Sequence, residues 1–279
     1  MQKRAIAVHD ISCVGRCSLT VALPILSAAG IETSVLPTAL LSTHTGEFTG
    51  YTHLDLSSQL QPISEHLQSL NLTWDAFYSG YIASTEQVAQ VLDVLERLQG
   101  ENTHVFVDPA FADHGQIYAL LGDKMPQYMK KLVEKADTIV PNLTEACFLL
   151  GKPYSPNIAP EQVEEICLEL ARLGPKQIII TGIESNNNTT SIVLYDRNSY
   201  APRWLHAPLQ NGIFHGTGDV FASFVLAGLL NDFDLYTSTK MALDLTQQSI
   251  QLTLHEKQPL RYGVRFEKVI PLLIEELSK

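Results

Sequence analysis

Six short runs of apolar or β-branched residues punctuate the chain at 5–8, 33–36, 76–79, 104–107, 138–140 and 177–180. Each is too short for a helix, and most are followed by an amphipathic segment of helical length. That alternation dictates an α/β fold: a central, mostly parallel sheet flanked by helices on both faces. After residue 180 the pattern changes. Ser-Asn-Asn-Asn at 185–188 reads as a turn joining 178–180 to 191–195, an antiparallel hairpin at the sheet edge. A long helical region begins at Gly216. With no repeat, Pro-rich linker or shift in composition, residues 1–279 read as one domain.

A chain of 279 residues, 45% hydrophobic and 18% charged, can bury a large core without extended disorder. Its formal charge of -11 argues against nucleic acid and anionic membrane surfaces as partners. The first residues reach a charge and a turn too soon for a signal peptide, and the longest apolar run, 220–230, is too short to span a bilayer. The sequence reads as that of a cytoplasmic protein. Four cysteines, Cys13, Cys17, Cys147 and Cys167, are expected as reduced thiols. Cys167 falls on the apolar helical face of Val163, Ile166, Leu170 and Leu173, which marks it as core. No zinc spacing completes Cys13 and Cys17.

In a parallel sheet, ligands gather at the carboxyl ends of the strands. Polar residues follow each predicted strand: His9, Asp10 and Ser12; Ser42-Thr43-His44-Thr45-Gly46; Ser79-Gly80-Tyr81; Asp108-Pro109; Asn142-Leu143-Thr144-Glu145; and Thr181-Gly182. Individually these have structural readings. Asp108-Pro109 is a turn opening, and Asn142 with Glu145 has the spacing of a capping box. Together they describe a site.

The stretch His215-Gly216-Thr217-Gly218-Asp219, followed by the apolar run, reads as an anion cradle opening a buried helix. Glycines let backbone N–H groups turn toward one point, and the helix N-terminus adds partial positive charge. A Rossmann fingerprint is excluded because Phe221 stands where a third glycine belongs. A P-loop is excluded because Pro153 follows Gly151-Lys152.

The order Asp10/Ser12, Ser42-Thr43-His44-Thr45, Ser79-Gly80-Tyr81, Asp108-Pro109, Asn142-x-x-Glu145 and Gly216-Thr217-Gly218-Asp219 resembles the ribokinase superfamily, in its vitamin B6 (pyridoxal/pyridoxamine) kinase branch. The resemblance covers essentially the whole chain. It implies ATP-dependent phosphorylation of a small heteroaromatic alcohol at a primary hydroxyl, with Mg²⁺, in a homodimer. Asp219 is then the general base, and the turn of Gly216, Thr217 and Gly218 stabilises the transferred phosphoryl group. Ser12, His44, Thr45, Tyr81 and Asp10 would contact the substrate. Asp108, Asn142, Glu145, Thr181, Gly182, Asp113 and Tyr118 would lie on the nucleotide side, with Glu145 and Asp108 toward the metal. The segment 110–118 looks like a mobile loop. Many relatives carry a lysine where this chain has Thr181-Gly182.

The competing enzyme reading is hydroxymethylpyrimidine kinase, whose similar His-Gly-Thr-Gly motif usually ends in Cys where this chain has Asp219. A non-catalytic B6-binding or regulatory protein is the alternative of another class.

Overall fold

Ala5, Ile6, Ala7 and Val8 are all essentially inaccessible to solvent, as expected of a strand covered on both faces. In the computed structural model, which describes residues 2–185, 188–256 and 259–279, they lie in β1 (Arg4–Ser12). Then come α1 (Leu19–Ala28), β2 (Glu32–Leu41), β3 (His53–Asp55), α2 (Ser57–Ser69), β4 (Ala76–Ser79) and α3 (Thr85–Leu98). The middle of the chain forms β5 (His104–Val107), β6 (Ala112–Asp113), β7 (Gln116–Ile117), α4 (Met125–Val133), β8 (Thr138–Ile139), α5 (Leu143–Leu149) and α6 (Pro160–Leu173). The last elements are β9 (Gln177–Ser185), β10 (Thr189–Asp196), β11 (Arg203–Pro208), α7 (Thr217–Leu230), α8 (Leu235–His255) and α9 (Ile270–Leu277).

Residues up to 80, 93–103 and 211–279 form one compact region. Its strands run β4-β1-β2-β3, with β1 parallel to both β4 and β2 and β3 antiparallel to β2. Strand β1 continues through Ser12, so His9, Asp10 and Ser12 lie on the strand and not beyond it. The register with β2 shifts between His9 and Ile11, and this irregularity re-aims the side chains at the strand's end. Helix α7 is buried from Val220 through Gly228, which suits a helix apolar all round, and it packs against α1 and α8.

Residues 81–92 and 104–210 form the second region, with strand order β5-β8-β9-β10-β11. Strands β5, β8 and β9 are parallel, and β10 and β11 are antiparallel. The predicted hairpin exists, pairing Val193 with Ile180 and Tyr195 with Ile178. Of its predicted turn, Asn186 and Asn187 lie outside the described residues. The edge position expected for this hairpin is taken by β11, whose Arg203 and exposed His206 weaken the apolar signal that marks a strand. Segment 110–118 carries a tight hairpin, β6–β7, with His114 and Gly115 at positive φ at its tip. Cys167 is buried on α6, as its spacing predicts. Among the described residues no helix is long and apolar enough to cross a membrane.

The seating of α7 depends on a close approach to α8. A Cβ on Gly228 would lie 2.7 Å from Ser238 Oγ and 2.9 Å from its Cβ. Gly228→Ala is therefore expected to cost about 1–3 kcal/mol through overpacking, read as a fall of several degrees in Tm. An unchanged Tm would mean that the two helices part freely.

Candidate active site

Glycine at 216 is required by its neighbours as well as by its own dihedral angles. It caps α7 at φ 73°, and a Cβ there would sit 1.8 Å from the Arg16 carbonyl oxygen. Only glycine permits that approach. The first intrahelical donor is Val220, whose N–H bonds Gly216 O at 3.0 Å. The N–H groups of Thr217, Gly218 and Asp219 precede it and have no intrahelical acceptor, which makes this helix end an anion-binding geometry. Thr217 donates its hydroxyl back to Phe214 O at 3.0 Å and ties the turn down.

Asp219 stands half-buried in this first turn. Desolvation pushes its carboxyl up to about 7, the Ser18 N–H opposes that rise, and Asp10 adds to it by like charge. Asp10 is itself buried, and its carboxyl too is raised by desolvation; its Oδ1 accepts the Ser18 hydroxyl at 2.5 Å. The Ser12 hydroxyl is buried beside Asp10 and Cys17 without a hydrogen bond of good geometry. Burial, with Asp219 and Asp10 nearby, drives the Cys17 thiol far above its usual range, so it remains neutral.

The loop after β2 is built around His44. Gly46 N–H donates to its Nδ1 at 3.1 Å, which leaves Nε2–H to donate to Arg261 O at 2.6 Å. That pair of bonds assigns a neutral tautomer, and burial lowers the ring's pKa in the same sense. Phe48 meets the ring edge-on at 4.9 Å, while His215, 5.0 Å away, bonds Glu47 at 2.9 Å. Thr45 is exposed. The structure thus gathers Asp10, Ser12, His44 and Gly216–Asp219 in the first region. It adds Arg16, Ser18 and Glu47, which sequence reading passed over, and Cys17, which reads in the sequence only as a reduced thiol. The one available signal was Ser18, a good N-cap residue before an apolar helix.

The second region holds the other predicted residues. Asn142 and Glu145 form the full capping box of α5: Glu145 N–H donates to Asn142 Oδ1 at 2.9 Å, and Asn142 N–H to Glu145 Oε2 at 2.8 Å. Glu145 Oε1 accepts Phe111 N–H at 2.9 Å and Ala112 N–H at 3.3 Å. The carboxylate therefore fastens the start of the 110–118 segment to α5. Burial, and then the neighbouring buried Asp108, raise its pKa well above the usual range, and the three N–H groups act against them. Asn142 Nδ2 donates to Ala112 O at 2.7 Å, and Thr181 N–H to Pro141 O at 3.0 Å.

Asp113, Asn142 and Gly182 line a cavity of about 130 Å³ together with Thr144, Tyr154 and Glu184. Tyr154 and Glu184 were not foreseen, and Thr144 reads in the sequence only as part of the polar stretch from Asn142 to Glu145. Tyr118 and Tyr81 are not among this cavity's lining residues; Tyr118 N–H bonds Phe111 O at 3.0 Å, and Tyr81 is half-buried. Among the described residues no cluster of three or more His, Cys, Asp or Glu forms a ready metal cage.

The sequence profile of the phosphomethylpyrimidine kinase family matches residues 23–263. Human pyridoxal kinase is 28% identical over 237 residues, covering 77% of this chain and 72% of its own. A Bacteroides thetaiotaomicron protein, provisionally named a phosphomethylpyrimidine kinase and crystallised in one form with pyridoxal, superposes with a TM-score of 0.94 at 33% identity, over 98% of this chain and 96% of its own. Pyridoxal kinase from Lactobacillus plantarum gives a TM-score of 0.91 at 27% identity, over 99% and 98% of the two chains. The chain belongs to the phosphomethylpyrimidine kinase family and has the ribokinase-like α/β fold of the pyridoxal kinases.

Proposed function

We propose that the chain is a single cytoplasmic kinase domain, working as a homodimer, that transfers the γ-phosphoryl group of ATP to the 5′-hydroxymethyl group of pyridoxal, pyridoxine or pyridoxamine. The observation that carries this reading is Asp219: a carboxyl brought to about 7 by burial, in the same helical turn as three N–H groups that lack intrahelical acceptors. A base of that strength accepts the hydroxyl proton near neutral pH, while the N–H groups of Thr217, Gly218 and Asp219 meet charge developing on the phosphoryl oxygens. The similarity to a protein crystallised with pyridoxal supports the substrate class.

On the substrate side, Asp10, Ser12, Thr45 and Tyr81 would contact the ring and its substituents. His44 has both ring nitrogens engaged by backbone groups, so its part is to shape the loop that presents Thr45. On the nucleotide side stand Asp113, Tyr118, Asn142, Thr181 and Gly182. For Mg²⁺, the fit lies in Asp108 and Glu145, neighbouring buried carboxyls whose mutual repulsion a divalent cation relieves. Asp108 is the candidate ligand, and Glu145, its oxygens held by N–H groups, orders the segment beside it. When bound, Mg²⁺ supplies charge compensation for the nucleotide phosphates.

A coupled ADP-release assay with the three B6 vitamers and hydroxymethylpyrimidine tests the substrate. The family's name keeps the pyrimidine alcohol as the competing reading. A higher kcat/KM for any vitamer is expected; a higher value for the pyrimidine reverses the assignment, and binding of pyridoxal without ADP release removes the enzyme reading.

Asp219→Asn is expected to lower kcat at least about 100-fold while keeping the fold. In the wild type, kcat/KM should fall on the acid side with an apparent pKa near 7. Stability moves the opposite way. With 3.8 as its ordinary value and about 7 when folded, the group retains its proton longer in the folded state, so stability is lost as pH rises through that window. The Asn variant should thus melt higher than wild type at pH 8 and alike at pH 4. Near-normal turnover, or a Tm difference that ignores pH, counts against this assignment.

Glu145→Gln presents an NH₂ group to N–H donors and is expected to cost about 1–3 kcal/mol and to raise the Mg²⁺ needed for half-maximal rate. An unchanged Mg²⁺ titration removes Glu145 from the metal side. Tyr81→Ala should raise KM for pyridoxal several-fold with little change for ATP, because a stacked ring contact is similar in ground and transition states. An unchanged pyridoxal KM with a lower Tm makes Tyr81 a packing residue.

A further inference from the structure

Residues 15–18 form a strap between β1 and α1 whose every position is fixed by a distant partner. A Cβ on Gly15 would lie 2.4 Å from His44 Cδ2. Arg16 sends its carbonyl against Gly216, receives Gly263 against its own backbone and Cβ, and donates its N–H to Tyr262 O at 3.1 Å. Its guanidinium Nε bonds Glu267 at 2.6 Å. Cys17 is buried against Asp219 and Asp10. The strap ends at Ser18, buried, with its N–H toward Asp219 and its hydroxyl on Asp10.

Ser18 adopts φ 50° and ψ -130°, a conformation that glycine enters freely and that costs a residue with a Cβ on the order of 1–3 kcal/mol. As the first residue before α1 it also makes no side-chain capping bond. Local stability therefore gives no reason for serine here, and glycine would serve the backbone better. What serine adds is the hydroxyl on Asp10.

We propose that Ser18 is a positioning residue for phosphoryl transfer, holding Asp219 through its backbone N–H and Asp10 through its hydroxyl so that the two carboxyls keep a fixed relation at the mouth of the anion turn. The inference rests on Asp219 being the base. Without the hydroxyl donor, Asp10 keeps its proton to higher pH, and Asp219 loses a like-charged neighbour. The titratable groups facing Asp219 are Asp10 from β1 and the Cys17 thiol from the strap; Asp10 in turn faces His53 of β3.

Ser18→Gly in the full-length chain is the test, assayed for pyridoxal-dependent ADP release. The expected result is a Tm equal to or above wild type, kcat lower by about 10-fold or more, KM for ATP within about twofold, and the acid limb of kcat/KM displaced to lower pH. Ser18→Ala, which keeps the Cβ and the strain, should lose as much rate and also some Tm. Wild-type kcat with an unmoved acid limb in the glycine variant overturns the proposal. A lower rate accompanied by a lower Tm and an unmoved limb overturns it equally, since that is the mark of a purely structural residue. Asp219→Asn run alongside separates the two readings. Normal turnover there removes the base itself, whereas an inactive Asp219→Asn beside a fully active Ser18→Gly removes only Ser18.

Discussion

The contact between the Arg16 carbonyl and the Cα of Gly216 governs the first region of this molecule. A methyl group at 216 would be driven to 1.8 Å from that oxygen, so the start of α7 and the strap after β1 share one position that no side chain can enter. The same strap meets His44 at Gly15 and the C-terminal segment at Gly263. Three loops far apart in sequence are thereby locked to one short stretch of backbone, and the carboxyls of Asp10 and Asp219 are brought to bear on each other. Close packing has few intermediate arrangements, which makes such a junction suited to holding a reactive geometry.

An acidic chain that handles phosphate must concentrate its positive potential locally. On the proposed reading that potential comes from N–H dipoles at the head of α7, where no lysine or arginine occurs between residues 204 and 239. The carboxyl in the same turn is a deliberate conflict. A helix N-terminus favours a negative group, whereas burial and Asp10 disfavour it, and the balance leaves Asp219 near neutrality, where a base is most useful. A carboxyl kept at that point destabilises the fold as pH rises through neutrality, so on the proposed reading the base is held at some cost in stability.

Much of this was legible in the chain. The strands at 76–79 and 104–107 matched residue for residue, because short apolar runs flanked by turn residues have few other solutions. The Gly-Thr-Gly-Asp helix start and the Asn142–Glu145 capping box also stand as read, since both are signatures of local backbone geometry. Where reading failed, the competing force was long-range. Strand β1 runs on through Asp10 and Ser12 because β2 continues beside it, and β9 runs through Thr181 and Gly182 because β10 pairs with it. The strap was invisible for the same reason: Ser18 is eight residues from Asp10 but about two hundred from Asp219, and nothing in its neighbours announces either contact.

Glu145 shows how one residue can satisfy a local rule and a distant one together. The capping box uses one carboxylate oxygen, as any helix start would. Its second oxygen takes the N–H groups of Phe111 and Ala112, and Asn142 returns a bond to Ala112 O, so α5 and the β6–β7 hairpin are closed into one hydrogen-bonded unit. Asp113, one residue further on, and Asn142 then line the same cavity. A motif that looks like helix punctuation thus sets the wall of the pocket in the second region. Three N–H groups hold the two oxygens of Glu145, against the rise in pKa that burial and the neighbouring Asp108 impose on it. Glu145 therefore bears on this wall through the geometry that its hydrogen bonds impose on Phe111, Ala112 and Asn142.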